Sequence, residues 1–269
     1  MIDHWKFEKG IITVRFMGDK FDSRGVSIYD FATTLLSIQR LINKAHLSLE
    51  NRLLKGVFPN RQEREMLSLQ IGERRRQSDA FSLFPLITDP NTVEYLKTIS
   101  GYVASGIVSY YIGDVLDRLR KEKDENKQEY IGSIHADVVN IVNRIDSPGG
   151  IERIDIGFPT AKEKPIVQFD AKSKEYINEL SNETFLGRHQ TLKGKVYRLY
   201  PNSLIVTIRR SSGRKVNIYL SEENFDKIRY FKGIDPLVTF TGRPKYKLGI
   251  ETKVITEFEA DSVDFDKNG

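Results

Sequence analysis

Seven basic residues near the C-terminal end have the types and spacing to do chemistry. Arg209, Arg210, Arg214 and Lys215 fall within seven positions, and Arg243, Lys245 and Lys247 alternate within five. Cations packed this closely repel one another unless an anion neutralises them, so the chemistry expected is contact with phosphates. Tyr197, Tyr219 and Tyr246 lie beside them in the sequence and offer rings on which a base could stack. From Gly187 onwards 16 Lys and Arg stand against 10 Asp and Glu, whereas the first 186 residues carry 26 against 27. The positive excess of the whole chain therefore lies in its last third. Arg74, Arg75 and Arg76 form a second, isolated basic run that reads as a loop tip and a secondary contact for a polyanion.

A catalytic set is harder to find. Asp170-Ala171-Lys172 follows a strand-like stretch, with Asp155 on the strand before it. Metal-dependent nucleases place carboxylates and a lysine this way, so that Mg²⁺ polarises a phosphate and activates water. The same type of triplet recurs at Glu251-Thr252-Lys253, as it does in many charged proteins. The chain has no phosphate-binding glycine loop, no G-x-S-x-G elbow and no H-E-x-x-H. Its four histidines (His4, His46, His135, His189) are scattered, and it has no cysteine. Disulfides, a thiol nucleophile and thiolate metal sites are thereby excluded. The expectation is a non-enzymatic protein with no catalytic residues, no cofactor and no metal. A metal-dependent nuclease stands as the third reading.

The elements that must position the basic residues run from Gly187 to Asp261. Thr191–Leu199 alternates, with Leu192, Gly194 and Val196 on one face and Lys193, Lys195 and Tyr197 on the other. Leu204–Arg210 is rich in β-branched residues. Ser211-Ser212-Gly213 makes a turn, and Lys215–Leu220 alternates again. Ser221 then caps a short helix on which Phe225, Ile228 and Phe231 share a face, ended by Gly233. Leu237–Thr241 and Lys253–Ala260 are two further strands. They are joined by a loop containing Gly242, Pro244 and Gly249, on which Arg243, Lys245 and Lys247 are expected. The order β-β-β-α-β-β resembles the OB fold, a five-stranded barrel whose loops and sheet face bind oligonucleotides. An SH3-like barrel gives a similar string.

Ahead of the barrel the chain mixes helices and strands. Ile12, Val14 and Phe16 alternate. Ser27 and Asp30 open a helix of about residues 27–49. Met66–Ile71 and Ala80–Ile87 form a hairpin around the arginine run. A long helix over 92–123 carries Gly101, Gly106 and Gly113, small residues that suit close packing within the chain or a homodimer. Its uncharged stretch Thr98–Gly113 is too short and too polar to span a bilayer. Ile131–Ile145 is a further helix, and Ser147-Pro148-Gly149-Gly150 marks a break. The expected class is α+β: an N-terminal α+β domain over 1–147 with long helices and antiparallel strands, a connector over 148–186 that either links the domains or completes the N-terminal sheet, and a small barrel over 187–269. Phe16, Gly18 and Phe21 ahead of a long helix resemble uncharacterised bacterial proteins of mobile-element or defence neighbourhoods, a resemblance that assigns no residue a role. The start of the chain has no secretory h-region, and cysteine is absent; both suit a cytoplasmic protein without membrane contact. The expected function is binding of DNA or RNA through phosphates. The alternative is a protein–protein scaffold or a homo-oligomeric subunit of a bacterial multi-protein system.

Overall fold

The computed structural model describes residues 10–18, 25–53, 57–72, 80–111, 125–146, 150–158, 166–231, 237–248 and 255–265. The chain divides into two compact units, Met1–Glu183 and Thr184–Gly269. Among the described residues, six α-helices and two sheets make an α+β protein with a closed C-terminal barrel.

The first unit is built on a five-stranded antiparallel sheet. Its strands are β1 (Ile12–Met17), β2 (Leu69–Ile71), β3 (Ala80–Pro85), β4 (Arg153–Gly157) and β5 (Ile166–Phe169), in the order β2-β3-β1-β4-β5. The segment over 148–186, expected either as a connector or as the completion of the N-terminal sheet, carries two strands of that sheet. Ile154 lies opposite Phe16 and Phe169 opposite Ile154, so β4 and β5 complete the N-terminal sheet. Apolar residues at Ile154, Ile156, Val167 and Phe169 are fully buried, and their removal from water draws this segment onto the sheet.

Five helices belong to this unit: α1 (Ile28–Leu49), α2 (Arg61–Leu67), α3 (Pro90–Gly106), α4 (Glu125–Val142) and α5 (Ala171–Glu179). The expected start of α1 is observed, with the Asp30 amide donating to Ser27 Oγ at 3.0 Å. Lys44 crosses from α1 to α4, where its ammonium lies 2.7 Å from both Asp137 Oδ2 and the Ser133 carbonyl. Asp137 is almost wholly buried, so that pairing offsets the cost of hiding its charge. A second polar junction gathers the ends of three helices. Glu63 forms the capping box of α2 with Asn60, and both its oxygens accept bonds from Arg52. His46 of α1 holds its Nε2 3.7 Å from Glu63 and bonds the Tyr95 hydroxyl of α3 through Nδ1 at 2.7 Å.

The long glycine-bearing helix is regular only to Gly106 and continues as a π-helical turn over Ile107–Tyr111. The rest of its expected span, with Gly113, lies outside the described residues, as do Phe21, Arg74, Arg75 and Arg76. A Cβ on Gly106 would come within 2.8 Å of the Tyr130 ring of α4, so this glycine admits a partner from its own chain. Among the described residues no helix is long and apolar enough to cross a membrane.

The second unit contains β6 (Thr184–Leu186), β7 (Gln190–Tyr200), β8 (Ile205–Arg209), β9 (Lys215–Tyr219), the helix α6 (Glu222–Arg229), β10 (Leu237–Lys247) and β11 (Glu257–Phe265). Strands β7, β8 and β9 form an antiparallel meander. β9 then pairs in parallel with β11, β11 with β10, and β10 with β7, closing a five-stranded mixed barrel. β6 adds to the far end of β10. Leu192, Val206, Ile208, Val216, Ile218, Phe240 and Phe258 fill the interior, and Phe225 and Ile228 of α6 pack against them. Phe231 lies beyond the end of α6 and stacks on Phe265, with ring centroids 4.1 Å apart. Gly213 takes φ +78° in the β8–β9 turn, a left-handed conformation that glycine adopts without strain.

Two boundaries depart from expectation. β10 does not stop at Thr241. Its pairing with β11 shifts register between Thr241 and Gly242, where Asp261 of β11 is the extra residue, and β10 runs on to Lys247; β11 extends past Ala260 to Phe265. The close approach at this irregularity needs Gly242, because a Cβ there would collide with the Glu259 carbonyl oxygen.

Gly242→Ala is expected to destabilise the barrel by about 2 kcal/mol, the scale of an overpacked core, read as a lower denaturant midpoint at unchanged slope. A second expectation concerns His135, which is 1% exposed and bonds Ser181 Oγ at 3.1 Å. Burial lowers its pKa from 6.5 to about 4. The unfolded chain then takes up this proton first on acidification. Stability should fall as pH drops from 6.5 towards 4, and His135→Gln should flatten that slope in urea titrations repeated across the window.

Candidate functional site

The alternation that buries Val206, Ile208, Val216 and Ile218 leaves Arg209 and Lys215, next to Ile208 and Val216 at the hairpin end, exposed. On the outer face three cations fall in one row across three strands. Lys195 of β7 lies opposite Arg209 of β8, which lies opposite Lys215 of β9. Like charges directly across a sheet destabilise it, by something of order 0.2–1 kcal/mol per pair. A bulge in β7 next to this row, between Val196 and Arg198, adds one unpaired residue, Tyr197. Its ring is 43% exposed and carries three cations: Lys215 Nζ at 4.0 Å from the centroid, Arg209 at 4.8 Å and Arg198 at 5.8 Å. Contacts of this kind contribute roughly 0.5–1 kcal/mol each at exposed positions, enough to offset part of the repulsion. Among the described residues Arg198, Arg209 and Lys215 form no ion pair with a carboxylate.

The cations act back on the phenol. A hydrogen bond from Lys215, followed by the charges of Lys215, Arg198 and Arg209, lowers the Tyr197 pKa below its ordinary value of 10.0. Arg198 also donates to the Tyr200 hydroxyl at 3.3 Å. Arg210 and Arg214 lie just past the row, where the Arg210 amide donates to the Arg214 carbonyl across the hairpin tip. Of the four basic residues expected on this hairpin, Arg209 and Lys215 share the row and the Tyr197 ring, while Arg210 and Arg214 lie at the hairpin tip beside it. Lys195 and Arg198 join them from β7. Alternation alone placed Lys195 and Tyr197 on a common face, but nothing in the sequence signals the bulge that turns Arg198 towards the same ring.

The second expected cluster is arranged differently. Arg243, Lys245 and Lys247 lie on β10 instead of a loop, and the first two face acids across β11: Arg243 opposite Glu259, Lys245 opposite Glu257. Lys245 Nζ lies 4.8 Å from the Tyr219 ring centroid, and the Tyr219 hydroxyl donates to Glu257 at 3.2 Å. Burial, then the Glu257 charge, raises the Tyr219 pKa. The two clusters occupy opposite ends of β9, separated by four residues from Lys215 to Tyr219, or about 13 Å. Tyr246 is 6% exposed and packs over Gly187, so it has no ring face to give a base.

The candidate nuclease residues have structural partners. Asp155 is paired with Arg153 at 2.9 Å; burial raises its pKa in spite of that pairing. Asp170 is the N-cap of α5, and the bonds it accepts from Ser173 hold its pKa low. Among the described residues no three metal-ligating side chains of the His, Cys, Asp or Glu type converge.

Because Lys215 is the main cause of the lowered Tyr197 pKa, Lys215→Ala should move that titration upward, towards the ordinary value of 10.0. Comparing ultraviolet pH titrations of the wild type and the variant, each with and without Tyr197→Phe, isolates the Tyr197 signal.

Comparison with models of known protein families finds no match, and comparison with curated proteins finds none.

Proposed function

We propose that the C-terminal barrel is OB-like and binds nucleic acid through its phosphates, in a non-enzymatic role. The observation that carries this reading is the row Lys195, Arg209 and Lys215: three cations in register on neighbouring strands, of which Arg209 and Lys215 gather with Arg198 around one tyrosine ring. A fold that needs only a closed barrel gains nothing by setting like charges opposite one another. An anion docked over the row reverses the sign of that interaction and releases the counterions it displaces.

The winding of the barrel supports the OB-like reading. It runs β7-β8-β9-α6-β10-β11, and in OB folds the face of the second and third strands is a ligand surface. Here those strands are β8 and β9, which carry Arg209 and Lys215. Arg210 and Arg214 extend the positive surface beyond the row. Arg243 and Lys245 contribute less, because Glu259 and Glu257 stand opposite them.

In a salt-titrated fluorescence anisotropy assay with labelled DNA, log affinity is expected to fall linearly with log salt. The slope should be about −3 to −5, for four to five phosphate contacts. Arg209→Ala with Lys215→Ala is expected to weaken binding at least tenfold and to reduce the slope by about 2. Arg243→Ala with Lys247→Ala should change both far less. An affinity unaltered by the first pair of substitutions would remove the site.

A further inference from the structure

We infer that the ligand of this face is base-paired nucleic acid gripped by its backbones, and that unpaired bases are not what it reads. The inference rests on the phosphate-binding reading above and narrows it.

The first ground is the state of the aromatic rings. A barrel that binds single strands without sequence preference presents open rings on which successive bases stack. Here the ring at the centre of the cationic row is occupied, and Tyr200 meets Arg198 through its hydroxyl at 3.3 Å. Tyr197 carries Lys215, Arg209 and Arg198, Tyr219 carries Lys245, and the exposed Tyr230 carries Arg229 with its guanidinium carbon 5.4 Å from the centroid. A base stacking on Tyr197 must displace cations whose contacts with the ring are together comparable to the stacking gained. A phosphate has no such cost, because it meets the outward N–H groups of the same cations while their contacts with the ring persist. Tyr197 is thus a positioning residue that collects three cations on one spot.

The second ground is the shape of the charge. Lys195, Arg209 and Lys215 run across the strands, covering two inter-strand spacings, about 10 Å. Arg198 of β7 lies opposite Thr207, two residues back along β8 from Arg209, and Arg210 and Arg214 lie past the row on its other side, at the hairpin tip. The patch extends in two directions. A single backbone threading a groove would be served by a file of cations. Two backbones flanking a minor groove about 6 Å wide call for a patch of this breadth.

The test uses the full chain and fluorescence competition with two probes of equal nucleotide number, a 20-bp DNA duplex and a 40-nucleotide single strand of mixed sequence. The duplex is expected to bind at least fivefold tighter, with A·T-rich and G·C-rich duplexes within twofold of each other. Tyr197→Phe, which keeps the ring, should leave duplex binding intact, and Tyr197→Leu should weaken it severalfold. Equal or tighter binding of the single strand overturns this inference and leaves the phosphate-binding reading standing. So does loss of single-strand affinity alone in Tyr197→Leu. Binding of neither probe at 50 mM salt overturns both.

Discussion

The parallel pairing of β9 with β11 is the contact on which the C-terminal unit depends. Asn217, Ile218 and Tyr219 lie against Glu257, Phe258 and Glu259, and the Asn217 amide donates to the Thr256 carbonyl at 2.9 Å. With that pairing made, the meander of β7, β8 and β9 becomes a closed wall with an inside to fill. Each strand must then commit alternate residues to the interior, and the complementary set is forced outward. The cationic row is the outward set at one level of β7, β8 and β9. At the other end of β9 the same closure sets Glu257 beside Tyr219 and opposite Lys245, which gives that end mixed charge.

Much of this was legible in the residues. Alternation in Lys215–Leu220, the change of period at Ser221 and the turn at Gly213 each have a local cause, and each appears where that cause places it. What escaped was set by contacts distant in sequence. Gly242 and Pro244 look like loop residues, yet Gly242 lies in the strand because the Glu259 backbone approaches it too closely for any side chain. Pro244 has no N–H to give to the ladder, and its carbonyl still accepts from Gly187 at 2.8 Å. The position of the bulge at Tyr197 follows from the register of β8 and has no signature of its own. Tyr246 alternates with basic neighbours, and only the barrel shows which side of the strand is the inside.

The first unit makes the same point about segments near a break. Pro148, Gly149 and Gly150 argue for a boundary, and Gly150 does take φ +77°. The strands after it nevertheless return to β1, because Ile154, Ile156, Val167 and Phe169 have no other apolar surface to cover. A turn signal marks a change of direction, and the apolar side chains on either side decide whether a domain ends there.

The junction at Glu63 has a consequence for how this unit comes apart in acid. Arg52 and the Asn60 amide hold the carboxylate ionised to a pKa of about 2. Between mild and strong acidity, then, the corner joining the ends of α1, α2 and α3 keeps its latch. The helix face around His135, where charge enters an apolar interior, has already come under strain by then. The two sites thus answer to different ranges of acidity, His135 below 6.5 and Glu63 only near 2, because one ring lies buried and the other group is held by a guanidinium.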